Sequence, residues 1–153
     1  MALKPDRIEL LTDISNFMNT TTADDGRGGV VSYVTSGAGV AMDDALSVVA
    51  YASLASGALP AGILLNDVVD LDLTRQHINW HKDEVQKGGK VTVLRIGQVT
   101  TNLITGSPSA GDPAYVGANG YISTSTGTGV AKIGMFLSEK DADGYAKVSI
   151  NIQ

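Results

Sequence analysis

The sequence contains no cysteine, so no disulfide can form and the fold has to be held by packing and hydrogen bonds. Such a chain suits synthesis in a reducing cytoplasm, where disulfides rarely persist. Charged residues are also scarce, at 18% of the 153 residues, and the net charge is -5. A protein that follows nucleic-acid phosphates needs a clustered surface of Lys and Arg. We therefore expect no nucleic-acid partner.

A membrane-spanning segment and a signal peptide are not apparent either. Charged side chains interrupt the first nine residues, where a signal peptide would have its apolar core. Segment 45–65 has no charge, but it is rich in Ala, Ser and Gly, and Pro60 interrupts it. Two buried strands fit this composition better than a transmembrane helix does. We expect no membrane partner.

Motifs for catalysis and metal binding are incomplete. His77 and His81 have the spacing of two metal ligands on a helix, but the zinc-peptidase motif needs Glu after the first His, and Ile78 stands there. The acidic segment 141–144 has its glycine fourth, whereas a calcium-binding loop has it sixth. No nucleophile motif, dinucleotide loop or phosphate loop is present. The sequence predicts no metal, no cofactor and no enzyme.

Glycine is abundant instead, and the C-terminal third has the pattern of an antiparallel meander. Asn119-Gly120 and Asp143-Gly144 each separate two β-prone runs, and both pairs suit the positive φ of a tight hairpin turn. The last strand alternates with period two, which predicts one buried and one solvated face. Its buried face is predicted to carry Ala146, Val148, Ile150 and Ile152, and its solvated face Tyr145, Lys147, Ser149 and Asn151.

Shorter β-prone runs precede this meander. Strands are predicted over 30–35, 47–51, 61–65 and 90–102, the last one broken near Gly97, and the wholly apolar 61–65 is predicted to be buried. Segment 74–89 is polar and predicts a long excursion or a short helix. The sequence thus predicts an all-β domain over 23–153, a small barrel or a sandwich.

Residues 1–22 differ in character and are predicted to form an ordered N-terminal arm. Leu11, Ile14 and Met18 would share one face of a helix, whereas the polar residues between them disfavour a helix. The arm is therefore either helical or extended. It either packs on its own domain or docks on a neighbouring subunit, and the sequence leaves both alternatives open.

Three segments of the meander carry a family resemblance: GDPAYVGANG at 111–120, IGMFL at 133–137 and DADGYAKV at 141–148. Their order resembles that of the small capsid decoration, or cement, proteins of tailed bacteriophages. The resemblance covers 99–152 most firmly and extends to 30–69. It implies a compact antiparallel β-barrel or β-tulip domain that binds the outer capsid face at junctions between capsomers, commonly as a trimer. The 74–89 excursion departs from the shortest family members.

The resemblance implies a structural virion protein whose partners are the major capsid protein and further copies of itself. A carbohydrate-binding head-fibre or lectin-like module is the alternative, and it would need an exposed aromatic platform. The predicted contacts to capsid or neighbouring subunit come from the arm and the excursion. They are Arg7, Leu11, Ile14, Phe17 and Met18 in the arm, and His77, Trp80 and His81 in the excursion.

Overall fold

The structure is a computed structural model that describes residues 2–19, 26–34, 47–69 and 84–153. Within these ranges the chain forms twelve strands and one three-residue 3-10 turn. The strands are β1 (Ile8–Met18), β2 (Val30–Val34), β3 (Ser47–Ala50), β4 (Pro60–Leu64), β5 (Asp67–Val69), β6 (Glu84–Gln86), β7 (Lys90–Thr101), β8 (Ile104–Thr105), β9 (Pro113–Val116), β10 (Ile122–Ser123), β11 (Lys132–Phe136) and β12 (Ala146–Asn151).

Ten of these strands join one sheet in the order β1-β3-β2-β4-β7-β12-β11-β9-β10-β8. Strand β1 also pairs with β7, so that β1, β3, β2, β4 and β7 close a hydrogen-bonded ring. The other five strands continue the sheet beyond β7, and β5 pairs with β6 in a separate two-stranded sheet. The predicted all-β class is confirmed.

Two hydrophobic cores lie against the ring strands. The ring core takes at least one side chain from each ring strand, including Met18, Val49 and Val91. The C-terminal core is larger and contains Phe136. Strand β4 supplies Ile63 to the C-terminal core and Leu64 to the ring core, so both of its faces are buried. A strand buried on both faces has no polar face, which is why this part of the sequence is uninterruptedly apolar.

The C-terminal meander has the predicted turns and alternation. Asn119 and Gly120 have φ values of 55° and 78°, and β9 and β10 pair antiparallel on either side of them. Gly144 has φ 83° in the turn that joins the antiparallel strands β11 and β12. In β12 the side chains of Val148 and Ile150 are buried, as their alternation predicted.

Two expectations need correction or completion. Strand β7 is continuous through Gly97, so the predicted break is wrong. A methyl group at position 97 would collide with the carbonyl oxygen of Ile8. Glycine is therefore needed here because β1 passes very close to β7, and it does not end β7. Of the predicted excursion over 74–89, residues 84–86 form strand β6, while residues 74–83 lie outside the described ranges.

The N-terminal segment is extended, because β1 is a strand of the main sheet. It runs antiparallel to β7 and, over its last three residues, parallel to β3 of the same chain. The sequence left open whether the arm is helical or extended and where it packs. In the described structure it is extended and packs on its own domain. The predicted boundary after residue 22 falls among residues that the structure does not describe.

We predict that Phe136→Ala lowers the free energy of unfolding by about 3–5 kcal/mol, because it opens a cavity in the C-terminal core. The matched control is Met135→Ala on the same strand, whose side chain is exposed and whose loss should change stability by no more than about 0.5 kcal/mol. Urea unfolding of both variants measures the difference. Equal losses would contradict this assignment of the core face of β11.

Candidate functional site

The segment that precedes β1 is fastened to the C-terminal hairpin. Leu3 is buried in the C-terminal core, and the Lys4 amide donates to the carbonyl of Thr100 at 2.9 Å. The Lys4 ammonium lies 3.0 Å from a carboxylate oxygen of Asp141 and 4.2 Å from the ring centroid of Tyr145. These contacts fix the position at which β1 begins.

Asp141 is also bonded within its own turn. Its Oδ1 accepts the amides of Asp143 and Tyr145 at 3.0 and 2.8 Å. The hydrogen bond from Lys4, followed by that from the Tyr145 amide, lowers the pKa of Asp141. The same contact with Asp141 raises the pKa of Lys4. Each group therefore stabilises the charged form of the other.

The pairing of β1 with β7 shifts register at three points, and at two of them β1 carries the extra residue, which makes a bulge in β1. Between Glu9 and Leu11 it advances two residues while β7 advances one, which makes Leu10 the extra residue. Between Asp13 and Asn16 it advances three residues while β7 advances two. A bulge leaves a residue unpaired and redirects side chains, and bulges are common beside functional sites.

Large apolar side chains of β1 are exposed around these bulges. Leu10 is 74% exposed and Ile14 is 66% exposed, and each lies within one of the bulged segments. Ile8 and Leu11 are 47% and 46% exposed. We call these four residues the β1 stripe. Single exposed apolar residues are ordinary, but several on one strand are typical of a protein contact surface.

Charged groups accompany the β1 stripe. Arg7 and Glu9 form an ion pair at its start. Asp13 accepts hydrogen bonds from the hydroxyl and the amide of Ser15, at 2.6 and 2.8 Å. These bonds, led by that from the hydroxyl, lower the pKa of Asp13. The stripe therefore carries a fixed negative charge at neutral pH beside its apolar groups.

The predicted contact residues of the arm have different environments. Leu11 and Ile14 are exposed in the β1 stripe, and Arg7 lies half-buried next to it. Phe17 is half-buried, with the Lys90 ammonium 5.6 Å from its ring centroid. Met18 is fully buried in the ring core, so it lies on no surface that a partner could touch in this structure.

Their role in binding stays a prediction. For the excursion residues even the placement is open, because His77, Trp80 and His81 lie outside the described ranges. Two residues that the sequence reasoning did not select, Ile8 and Leu10, belong to the β1 stripe. A helical spacing favoured Met18 over Leu10, whereas a bulged strand buries the first and exposes the second.

A second apolar surface surrounds a groove of about 440 Å³ at the end of β2. Tyr33 and Leu54 line it, and Leu59 is exposed close by, its carbonyl accepting the Tyr33 amide. Two backbone hydrogen bonds hold the loop from β3 to β4 to the C-terminal loops: the Asn119 amide donates to the carbonyl of Ala52, and the Gly57 amide donates to the carbonyl of Gly129. Among the described residues that line the groove, the aromatic ones are Tyr33, which is exposed, and Tyr51, which is half-buried, and none is charged.

Clusters of metal-ligating side chains do not occur in the described ranges. No three His, Asp or Glu side chains there converge as metal ligands. No helix in the same part of the chain is long and apolar enough to cross a membrane.

The family model of the XM1 gp53 minor capsid protein matches residues 9–152 of the chain. The chain belongs to this family. Membership makes it a structural protein of a phage virion that associates with capsid proteins. No curated protein sequence matches the chain. The match covers β1 from Glu9 onward, so it includes Leu10, Leu11 and Ile14 of the β1 stripe but not Ile8.

The Lys4–Asp141 contact predicts an acid-dependent loss of stability. Because the pKa of Asp141 is lower in the folded than in the unfolded chain, its contribution is present above the ordinary aspartate pKa. It is lost as the pH falls through the lowered folded value. We expect Asp141→Asn to lower Tm at pH 7 and to match the wild type in strong acid. Thermal unfolding across pH measures this.

Asp143→Asn is the matched control, since it removes the same charge from the same turn without the hydrogen bond to Lys4. It should lower Tm less than Asp141→Asn at neutral pH. A Tm difference between Asp141→Asn and wild type that is independent of pH would show that the contact does not depend on the carboxylate.

Proposed function

We propose that this gp53-family minor capsid protein decorates the outer surface of the capsid at junctions between capsomers and cements the assembled shell. The observation that supports this most is the β1 stripe, a set of large apolar side chains that a bulged strand exposes to solvent. Family membership supplies the class of partner, a capsid protein. The resemblance of the C-terminal meander to decoration proteins supplies the finer role.

The proposed mechanism is mass action. A protein that binds the assembled lattice, and not the free capsid subunits, shifts the equilibrium toward the shell. Each contact needs only the roughly 1,000 Å² typical of a specific interface. Engaging two or three capsid subunits from one trimer multiplies the effect, because the second and third contacts form at high effective concentration. In this proposal no bond of a substrate is made or broken.

The anchoring of the N-terminal segment fits this role. Leu3 and the Lys4–Asp141 contact hold the start of β1 to the C-terminal half. Pairing with β7 then holds β1 along most of its length. A contact surface on a fixed strand loses little conformational entropy on binding, so more of its apolar burial contributes to affinity. The β1 stripe is thus pre-organised for a partner.

We predict that the double variant Leu10→Ser/Ile14→Ser binds shells at least about tenfold more weakly, because buried apolar anchors each contribute more than about 1 kcal/mol at the centre of an interface. Co-sedimentation with shells of the same phage, purified without this protein, measures binding. Shells that carry the variant should also break at a lower temperature than shells that carry the wild type.

The matched control is Leu54→Ser, which removes an equally exposed leucine beside the groove at the end of β2. It should leave shell binding near the wild-type value. If Leu54→Ser abolishes binding and the double variant does not, the contact surface is the groove. If the wild-type protein has no affinity for shells, the decoration proposal fails.

A further inference from the structure

Arg95 is the extra residue of a bulge in β7. Between two adjacent residues of β1, the partner positions on β7 advance from Leu94 to Ile96. Leu94 and Val99 both pack in the C-terminal core, although residues five apart in a regular strand point to opposite faces. The bulge at Arg95 removes this conflict. Bulges often redirect a side chain beside a functional site, so the placement of Arg95 is of interest.

The guanidinium of Arg95 lacks an acceptor among the residues that the structure describes. Its Nε is buried there without a hydrogen-bond partner. The other arginines in this part of the chain have carboxylate partners: Arg7 pairs with Glu9, and Arg27 with Asp67. Arg95 forms no ion pair within the described ranges. A buried donor without an acceptor destabilises a folded chain, so it requires an explanation.

Asp13 is a neighbouring carboxylate that is already hydrogen-bonded. It pairs with Val93 of β7, two residues before Arg95. Its Oδ1 accepts both the hydroxyl and the amide of Ser15. These two bonds lower the pKa of Asp13 most, and the charge of Arg95 lowers it further. The two charges therefore influence each other without forming an ion pair, and Arg95 retains its donors for another acceptor.

We propose that Arg95 binds an aspartate or glutamate carboxylate of the capsid subunit at the margin of the β1 stripe. This inference rests on the proposed decoration of the shell. Leu11 of the stripe pairs directly with Ile96, the residue after Arg95. A partner that covers the stripe therefore comes within reach of the guanidinium. The planar fork of a guanidinium matches a carboxylate through two parallel hydrogen bonds.

The charges around Arg95 favour a carboxylate over a phosphate. Asp13 already brings one negative charge to this part of the β1–β7 pairing. A phosphate group carries close to two more at neutral pH, and one arginine cannot offset them together with Asp13. A carboxylate brings one negative charge, so it supplies the missing acceptor with less repulsion.

Arg95→Met tests the contact, because methionine retains an apolar stem and lacks the guanidinium. We expect its affinity for shells of the same phage, purified without this protein, to fall at least about tenfold in co-sedimentation. We expect the Tm of the free variant to equal or exceed that of the wild type, since a buried donor without an acceptor is removed. A clear fall in Tm would assign Arg95 a structural role and overturn the inference.

The matched control is Lys132→Met, which removes one positive charge from an exposed position on β11. It should bind shells within about twofold of the wild type, because an exposed charge away from the contact is screened by salt. If both variants lose affinity equally, the effect is one of net charge, and the specific contact is overturned.

Asp13→Asn tests the sign of the partner's charge. If Arg95 receives a carboxylate, removal of the neighbouring negative charge strengthens shell binding by about twofold at low salt and by less at high salt. If the partner instead places a basic residue here, Asp13→Asn weakens binding, and the inference is overturned.

A carbodiimide cross-link identifies the source of the carboxylate. Arg95→Lys places a primary amine at this position. The carbodiimide activates a nearby carboxylate, the amine attacks it, and an amide forms as a urea leaves. On shells we expect mass spectrometry to find position 95 linked to an aspartate or glutamate of the capsid subunit. A link to Asp13 or to a second copy of this chain, or no link at all on bound protein, overturns the assignment.

The binding results separate this inference from the decoration proposal. If Arg95→Met binds shells as tightly as the wild type, the carboxylate contact is overturned and decoration stands. If the wild-type protein itself has no affinity for shells, decoration fails, and the inference that rests on it fails as well.

Discussion

Strand β7 forms backbone hydrogen bonds with three other strands, and the whole sheet depends on this sharing of β7. On one side it pairs with β1, and it also pairs with β4 near its start and with β12 toward its end. Both the ring and the C-terminal strands are therefore built on the same twelve residues. The arrangement requires β1 to approach very closely at Gly97, where any side chain would collide with the backbone of Ile8.

This sharing connects the two hydrophobic cores. Val93 of β7 belongs to the ring core, whereas Leu94 belongs to the C-terminal core. Two adjacent residues of β7 therefore pack into different cores. The N-terminal segment adds a second connection, because Leu3 is in the C-terminal core while Met18, at the far end of β1, is in the ring core. The apolar residues between them are left for solvent or a partner.

The sequence was most informative where the chain obeys local rules. Asn119-Gly120 and Asp143-Gly144 marked real turns because few residues tolerate positive φ, and the alternation of β12 followed from one buried face. The apolar run of β4 was recognisable because both of its faces are buried. These features fixed the all-β class without any knowledge of the strand order.

Non-local features could not be predicted in the same way. Gly97 suggested a break because sequence cannot show that another strand passes close to it. In β1, bulges shift the register, so neither period two nor a helical period identifies the exposed set. Of the arm residues selected, Leu11 and Ile14 are on the surface and Met18 is not. Exposure of Leu10 depends on a pairing with β7 that lies about 86 residues away along the chain.

The lengthwise pairing of β1 with β7 also determines how the domain responds to mechanical load. A pull directed along β1 would strain its hydrogen bonds to β7 all together, whereas a pull perpendicular to the strand would open them one after another. The contacts of Leu3 and Lys4 secure the N-terminal end of β1, and the pairing of Met18 with β3 secures its C-terminal end. A strand secured at both ends resists peeling, so tension that reached β1 from outside would pass into the body of the sheet as shear.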